Sequence, residues 1–219
     1  MPDLNVIEVL SMSENIKGVK DFYNTTASEW AEKWYSDETM LPLLKKFVGL
    51  FSDNPRILDA GCGAGYESMR LSNLGADVVG VDISEESIKI ARTKNLNCRF
   101  DLMDCRQLDD SIGVFDGIAA IALIVHIEDC DLHLVFESFN RIIKPSGYLF
   151  IAFVEGDGFS EKRSYVKING ENYNRAFYLH PPKRIIEVAK DLGFDYYDEW
   201  FLEEPIGQWK YLVFKGDGQ

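Results

Sequence analysis

The chain of 219 residues lacks any apolar run approaching the roughly 20 residues that cross a bilayer, so no membrane-spanning protein is expected. Its opening stretch, Met1 to Gly18, carries Asp3, Glu8 and Glu14 and has no basic cluster ahead of an apolar run. That is not a secretory pattern, and a cytoplasmic protein is expected. Cysteine is sparse. Cys62, Cys98, Cys105 and Cys130 form no C-x-x-C pair and sit at no zinc-ligand spacing, so neither a metal site nor a disulfide framework is expected. Positive charge is also in deficit: 23 Lys and Arg stand against 36 Asp and Glu, a net charge of -13. Apart from the short run Glu161-Lys162-Arg163 there is no basic stripe to neutralise phosphates, which argues against nucleic acid and for a small-molecule partner. The 46% hydrophobic and 27% charged fractions are ordinary for one soluble globular domain. The composition sets no oligomeric state.

Strands and helices alternate along most of the chain. Val19 to Leu50 has apolar residues at helical spacing, with a break near Ser36-Asp37. Arg56 to Ala60, Asp77 to Val81, Asn97 to Leu102, Phe115 to Ile121 and Tyr148 to Val154 are short apolar runs suited to buried parallel strands. Helices fall between them at Tyr66 to Asn73, after a Ser84 cap, and at Asp131 to Ile143. Glu155 to Leu179 is polar and aromatic without a clear period. A helix from Pro182 to Leu192 then leads to two strands, Asp195 to Leu202 and Trp209 to Phe214. Their short connection at Pro205-Ile206-Gly207 requires antiparallel pairing. The expected fold is α/β: a doubly wound, mostly parallel sheet ending in an antiparallel hairpin.

The chemistry centres on Asp59-Ala60-Gly61-Cys62-Gly63-Ala64-Gly65, where the first strand turns into a helix. Glycines let backbone approach a ligand, and the helix start offers free amide donors. The spacing is G-x-G-x-G, not the G-x-G-x-x-G of a dinucleotide site. Asp59 would repel a pyrophosphate but suits a cationic amino group. Asp82, about 20 residues on and ending the second strand, is placed to accept hydrogen bonds from ribose hydroxyls.

These segments, with Val79 to Ser84, Phe100 to Asp104, Phe115 to Ile118, Leu123 to His126 and Ile143 to Leu149, resemble the class I S-adenosylmethionine-dependent methyltransferases. The motifs run in family order from Phe22 to about Phe214. Val154 to Gly158 and Arg175-Ala176-Phe177 look like a subgroup of small bacterial and archaeal members whose acceptor is undefined. The resemblance implies seven strands with the last antiparallel, S-adenosylmethionine as cofactor and methyl transfer to a small-molecule acceptor. It implies a helical lid over residues 1–50 and a cofactor-binding domain over 51–219. Ala60, Gly61 and Gly63 are matched to the backbone against the methionine part, and Asp59 to the holder of its amino group. Asp82 is matched to the ribose acceptor and Ile83 to the adenine face. Met103 and Asp104 match the adenine edge, and Ile121 the mouth of the fourth strand. The family's polar serines near that mouth are here Ile121 and Leu123.

Tyr23 matches a cofactor-contacting position, whereas Trp30 and Trp34, four apart, read as a helical core stripe, with rings facing the cofactor's sulfonium cation as the alternative. His126 follows the fourth strand and is the candidate base, with a structural role as the alternative. Arg175, Tyr173 and Tyr178 are candidate acceptor contacts. Arg175 either receives a carboxylate or phosphate or pairs with a surface acid. Two rivals stay open at this point. One is an NAD-dependent Rossmann oxidoreductase. The other is a non-enzymatic cofactor-binding regulatory protein, which a pocket blocked above the methyl group would favour.

Overall fold

Short apolar strands that read as continuously buried need cover on both faces, and the chain supplies it with helices. The computed structural model describes residues 14–156, 160–168, 171–203 and 207–217. Two helices come first, α1 (Glu14–Tyr35) and α2 (Leu41–Val48). There follow β1 (Arg56–Ala60), α3 (Tyr66–Asn73), β2 (Asp77–Asp82), α4 (Glu85–Lys94), β3 (Arg99–Leu102) and β4 (Phe115–Ile121). The second half has α5 (Leu132–Ile142), β5 (Ile143–Val154), β6 (Ser160–Ile168), β7 (Glu171–Leu179), α6 (Pro182–Asp191), β8 (Phe194–Trp200) and β9 (Trp209–Gly216).

Seven strands form one sheet in the order β3-β2-β1-β4-β5-β9-β8. The first five are mutually parallel, and β9 runs antiparallel between β5 and β8. This is the doubly wound α/β sheet with an antiparallel terminal hairpin that the alternating pattern predicts. Successive residues of β4 and β5 divide between the two faces. Ile118, Ala120, Leu149 and Ile151 join Phe136, Phe139 and Ile185 on one side. Ala119, Phe150 and Ala152 join Leu44, Phe47 and Leu71 on the other. Period-two alternation thus serves two cores rather than a core and a solvent face. Ser84 caps α4 through its side chain, accepting from the Ser87 amide at 3.1 Å, with Glu85 and Glu86 in the first turn and Arg92 and Lys94 in the last.

The segment after β5 differs from the expectation. Where no regular element is predicted, β6 and β7 form a two-stranded antiparallel ribbon outside the main sheet. A two-stranded ribbon outside the main sheet is not under the demand for dense apolar residues that a strand buried on both faces obeys, so its sequence carries a weaker signal. Of residues 1–50, the described part holds α1, which packs on α4 and β7, and α2, which joins the second of these cores, the lower one, through Leu43, Leu44 and Phe47. Among the described residues no helix is long and apolar enough to cross a membrane.

Candidate active site

Parallel strands order β2-β1-β4 means the chain reverses its direction of winding between β1 and β4, which opens a crevice at the carboxyl ends of the strands. The loop after β1 lines it. Gly61, Gly63 and Gly65 have φ of +76°, +51° and +84°, the left-handed region. Their surroundings differ. A Cβ on Gly63 would point into space, with Tyr66 Oη the nearest atom at 3.8 Å. A Cβ on Gly65 would meet Asn95 Nδ2 at 2.7 Å and Ala91 and Phe100 at 3.0 Å. Ala122, just past β4, also stands at φ +57°, a conformation that costs a non-glycine residue about 1–2 kcal/mol.

Two cavities meet here. The first, about 90 Å³, is lined by Tyr23, Gly61, Gly63, Asp82, Ile83, Met103, Asp104, Ile121 and His126, all of them expected site residues. Asp82 receives the Gly63 amide on Oδ2 at 2.9 Å and the Ser84 amide on Oδ1 at 2.8 Å. Each oxygen keeps a lone pair for a further donor. Burial raises the Asp82 pKa, and the backbone amides of Ser84 and Gly63 oppose that rise. Asp104 is clamped by Arg106, whose Nη2 donates to Oδ2 at 2.8 Å and whose Nη1 donates to Asp131 at 2.7 Å. Asp59 and Ala60 lie beneath the cavity rather than on its wall. Asp59 is 2% exposed, accepts from Ser68 Oγ at 2.5 Å, and is pushed up to about 7 by burial.

The second cavity, about 200 Å³, adjoins the first and shares Tyr23, Tyr66, Ile121, Ala122 and His126 with it. Its outer wall is aromatic. Trp30 and Trp34, expected as core, are instead half-buried on this wall, with rings stacked at 6.0 Å. The helical stripe they form faces a chamber because the ribbon, not the main sheet, covers α1. Tyr23 joins the parts. Its hydroxyl lies 2.9 Å from His126 Nε2 and receives a hydrogen bond from Arg175 Nη1. Burial pushes the Tyr23 phenol up to about 12, so it stays protonated at neutral pH.

Arg175 lies on the chamber wall, its guanidinium 4.9 Å from the Phe22 ring centroid and 5.2 Å from that of Trp30. Its partner is therefore a tyrosine hydroxyl rather than a surface acid. Tyr178 is 1% exposed and on neither cavity wall, and the side chain of Tyr173 lies outside the described residues. Tyr66, Glu67, Arg106, Trp209 and Tyr211 carry no expectation from the sequence. Glu67, an acid in the first turn of a helix, resembles any dipole partner; only its side of the helix distinguishes it.

The chain is similar to known proteins. Residues 57–147 match the model of the methyltransferase domain family. The ubiquinone biosynthesis O-methyltransferase of Sinorhizobium fredii is 31% identical over 103 residues, 45% of this chain and 41% of that protein. The match thus spans about two fifths of such relatives. The crystal structure of magnesium protoporphyrin IX methyltransferase from Synechocystis with bound S-adenosylhomocysteine superimposes with a TM-score of 0.72. It covers 91% of this chain and 98% of that one at 18% identity. A protein from Pyrococcus horikoshii reaches 27% identity and a TM-score of 0.67 over 90% of this chain and 99% of its own. Residues 57–147 are thus similar to the methyltransferase domain, and the whole chain shares the fold of the magnesium protoporphyrin IX methyltransferase structure.

Proposed function

We propose that this chain transfers the methyl group of S-adenosylmethionine to a small-molecule nucleophile held in the aromatic chamber. The observation that carries the reading is the junction of the two cavities at Tyr23, Tyr66, Ile121, Ala122 and His126. Space continues past the cofactor cavity, which is unlike the blocked pocket of a binding-only protein.

The residues present fit the cofactor. Gly63 leaves open the space a Cβ would fill, and a Cβ on Gly61 would press on the Leu123 side chain at 3.0 Å. Asp82 offers two acceptors for ribose hydroxyls. Ile83 and Met103 supply apolar surface for adenine, and Asp104, held by Arg106, supplies an acceptor at its edge. Asp59, buried below Gly61, completes the negative surroundings of an amino group. No such set suits a pyrophosphate, which Asp59 and Asp82 would both repel.

When bound, the cofactor supplies an activated methyl group whose bond to sulfur breaks with the electron pair remaining on sulfur. The protein aligns the acceptor with that bond and excludes water. Ile121 and Ala122 form an apolar collar at the junction. Tyr23 holds His126 by Nε2, and this pair receives the proton released by the methylated atom. Arg175 ties the ribbon to α1 through the same hydroxyl and closes the chamber.

Calorimetry with S-adenosylhomocysteine and NAD, followed by transfer from labelled S-adenosylmethionine to metabolite pools, tests the reading. Micromolar binding of the first ligand, no competition by millimolar NAD and label in a small molecule are expected. Tight NAD binding would overturn it.

A further inference from the structure

Resting on the methyl-transfer reading, we infer that Glu67 and Tyr211 form the polar recognition wall of the chamber and select a flat aromatic acceptor bearing an amine. Glu67 begins α3 beside the glycine loop, lines the chamber and is 8% exposed. Its Oε2 is buried and accepts no hydrogen bond. The nearby cation pairs with it only loosely. Arg70 Nη1 approaches Oε2 at 3.3 Å without hydrogen-bond alignment, while Nη2 donates to the carbonyls of Trp34, Tyr35 and Asp37. Tyr211 lies on β9, 3% exposed and on the same cavity, and its hydroxyl also has no partner. With Arg175 Nε, three buried polar atoms on this wall lack a hydrogen-bond partner, and such groups are costly unless a ligand completes them.

Sign and shape narrow that ligand. Asp37 and Glu67 are the two carboxylates on the wall, against one guanidinium, Arg175, whose Nη1 donates to Tyr23, whose plane lies over ring faces and whose buried Nε has no partner. An anionic acceptor would face two acids. An amine would donate to Glu67 and meet aromatic faces that attract cations. Trp209 and Tyr211, two apart on β9, present rings from one face of the strand. The cavity of about 200 Å³ is smaller than a drug-sized pocket and holds one or two rings. Burial also holds the Glu67 carboxyl up at about 7, with Arg70 opposing and Asp59 and Asp37 adding to the rise, so an incoming cation restores the charge that burial suppresses.

The test uses the full chain saturated with S-adenosylhomocysteine and two probes of matched shape, 2-phenylethylamine and 3-phenylpropanoate, titrated by calorimetry. The parent should bind the amine and reject the acid. Glu67→Gln should weaken the amine by about tenfold or more, as loss of a charged hydrogen bond does, and narrow the preference between probes. Glu67→Asp, which keeps the charge, should retain the preference, and it serves if Glu67→Gln does not fold. Tyr211→Phe should weaken the amine by a smaller factor. S-adenosylhomocysteine affinity should be the same in all four proteins. Tighter binding of the acid by the parent, no binding of the amine at millimolar concentration, or an unchanged preference in Glu67→Gln would each overturn the inference. A parent that fails to bind S-adenosylhomocysteine would instead overturn the methyl-transfer reading itself.

Discussion

Asp59→Asn should make the ligand-free protein more stable at alkaline pH while weakening its hold on the cofactor. The buried Asp59 carboxyl titrates at about 7, against 3.8 for the free group. The folded state therefore holds a proton that the unfolded chain has already released across that window. Folding is unaffected by this group below about pH 4, loses stability as the pH climbs from about 4 to about 7, and bears the whole penalty above. About three units at 1.36 kcal/mol each give a penalty of about 4 kcal/mol. Coupling to Asp82, whose charge adds to the rise, makes about 2–4 kcal/mol the working range. Asparagine mimics the protonated acid. Its oxygen keeps the Ser68 bond of 2.5 Å and its amide donates where the acid proton would. At about 2–4 °C per kcal/mol for a chain of this size, the melting temperature should rise by about 5–10 °C at pH 8. The gain should shrink toward zero near pH 4, which thermal melts across the range read directly. A gain of equal size at pH 4 and pH 8, or none at pH 8, would refute the reasoning. Asp59 acts on the cofactor's amino group only through its negative charge, so binding of S-adenosylhomocysteine should weaken most at pH 8, where that charge is present in the parent and absent in the variant.

Asp82→Ala should lower S-adenosylhomocysteine affinity by about ten- to a hundredfold, with Asp82→Asn losing less, since bonds to a charged acceptor contribute about 1.5–3 kcal/mol each; calorimetry decides. Phe47→Ala should destabilise by about 3–5 kcal/mol in urea melts, because Phe47 is 0% exposed in the lower core. Tyr23→Phe removes the atom shared by Arg175 and His126, so label transfer should slow more than S-adenosylhomocysteine affinity falls; equal turnover would remove the hydroxyl from the mechanism.

The parallel sheet was readable from sequence because each strand carries a dense apolar run bounded by turn residues. Leu58, Ile118 and Ile151 are completely buried, and no other environment calls for such residues at that density. The cofactor side of the site was equally readable. A glycine loop and an acid at the end of the next strand are fixed to each other by the parallel β1–β2 register, which pairs Ala60 with Val81. The chamber side was not. It assembles Trp34 from α1, Glu67 from α3, Arg175 from the ribbon and Tyr211 from β9, segments far apart in the chain. No local spacing links them. Trp30 and Trp34 were misread for a related reason: helical spacing shows which residues share a face, not what the face meets.

The three glycines of the loop answer to separate demands. Gly63 borders open space, so a methyl group there would intrude on whatever occupies the crevice while leaving the surrounding packing alone. Gly65 is hemmed in by Asn95, Ala91 and Phe100, and a methyl group there would wedge α4 and β3 away from the loop whether or not anything is bound. A motif that looks like one signature thus meets two separate physical requirements, room for a ligand and room for the fold. Without a ligand, replacing Gly63 would cost only the backbone strain of its left-handed φ, whereas replacing Gly65 would add a clash with its neighbours to that strain.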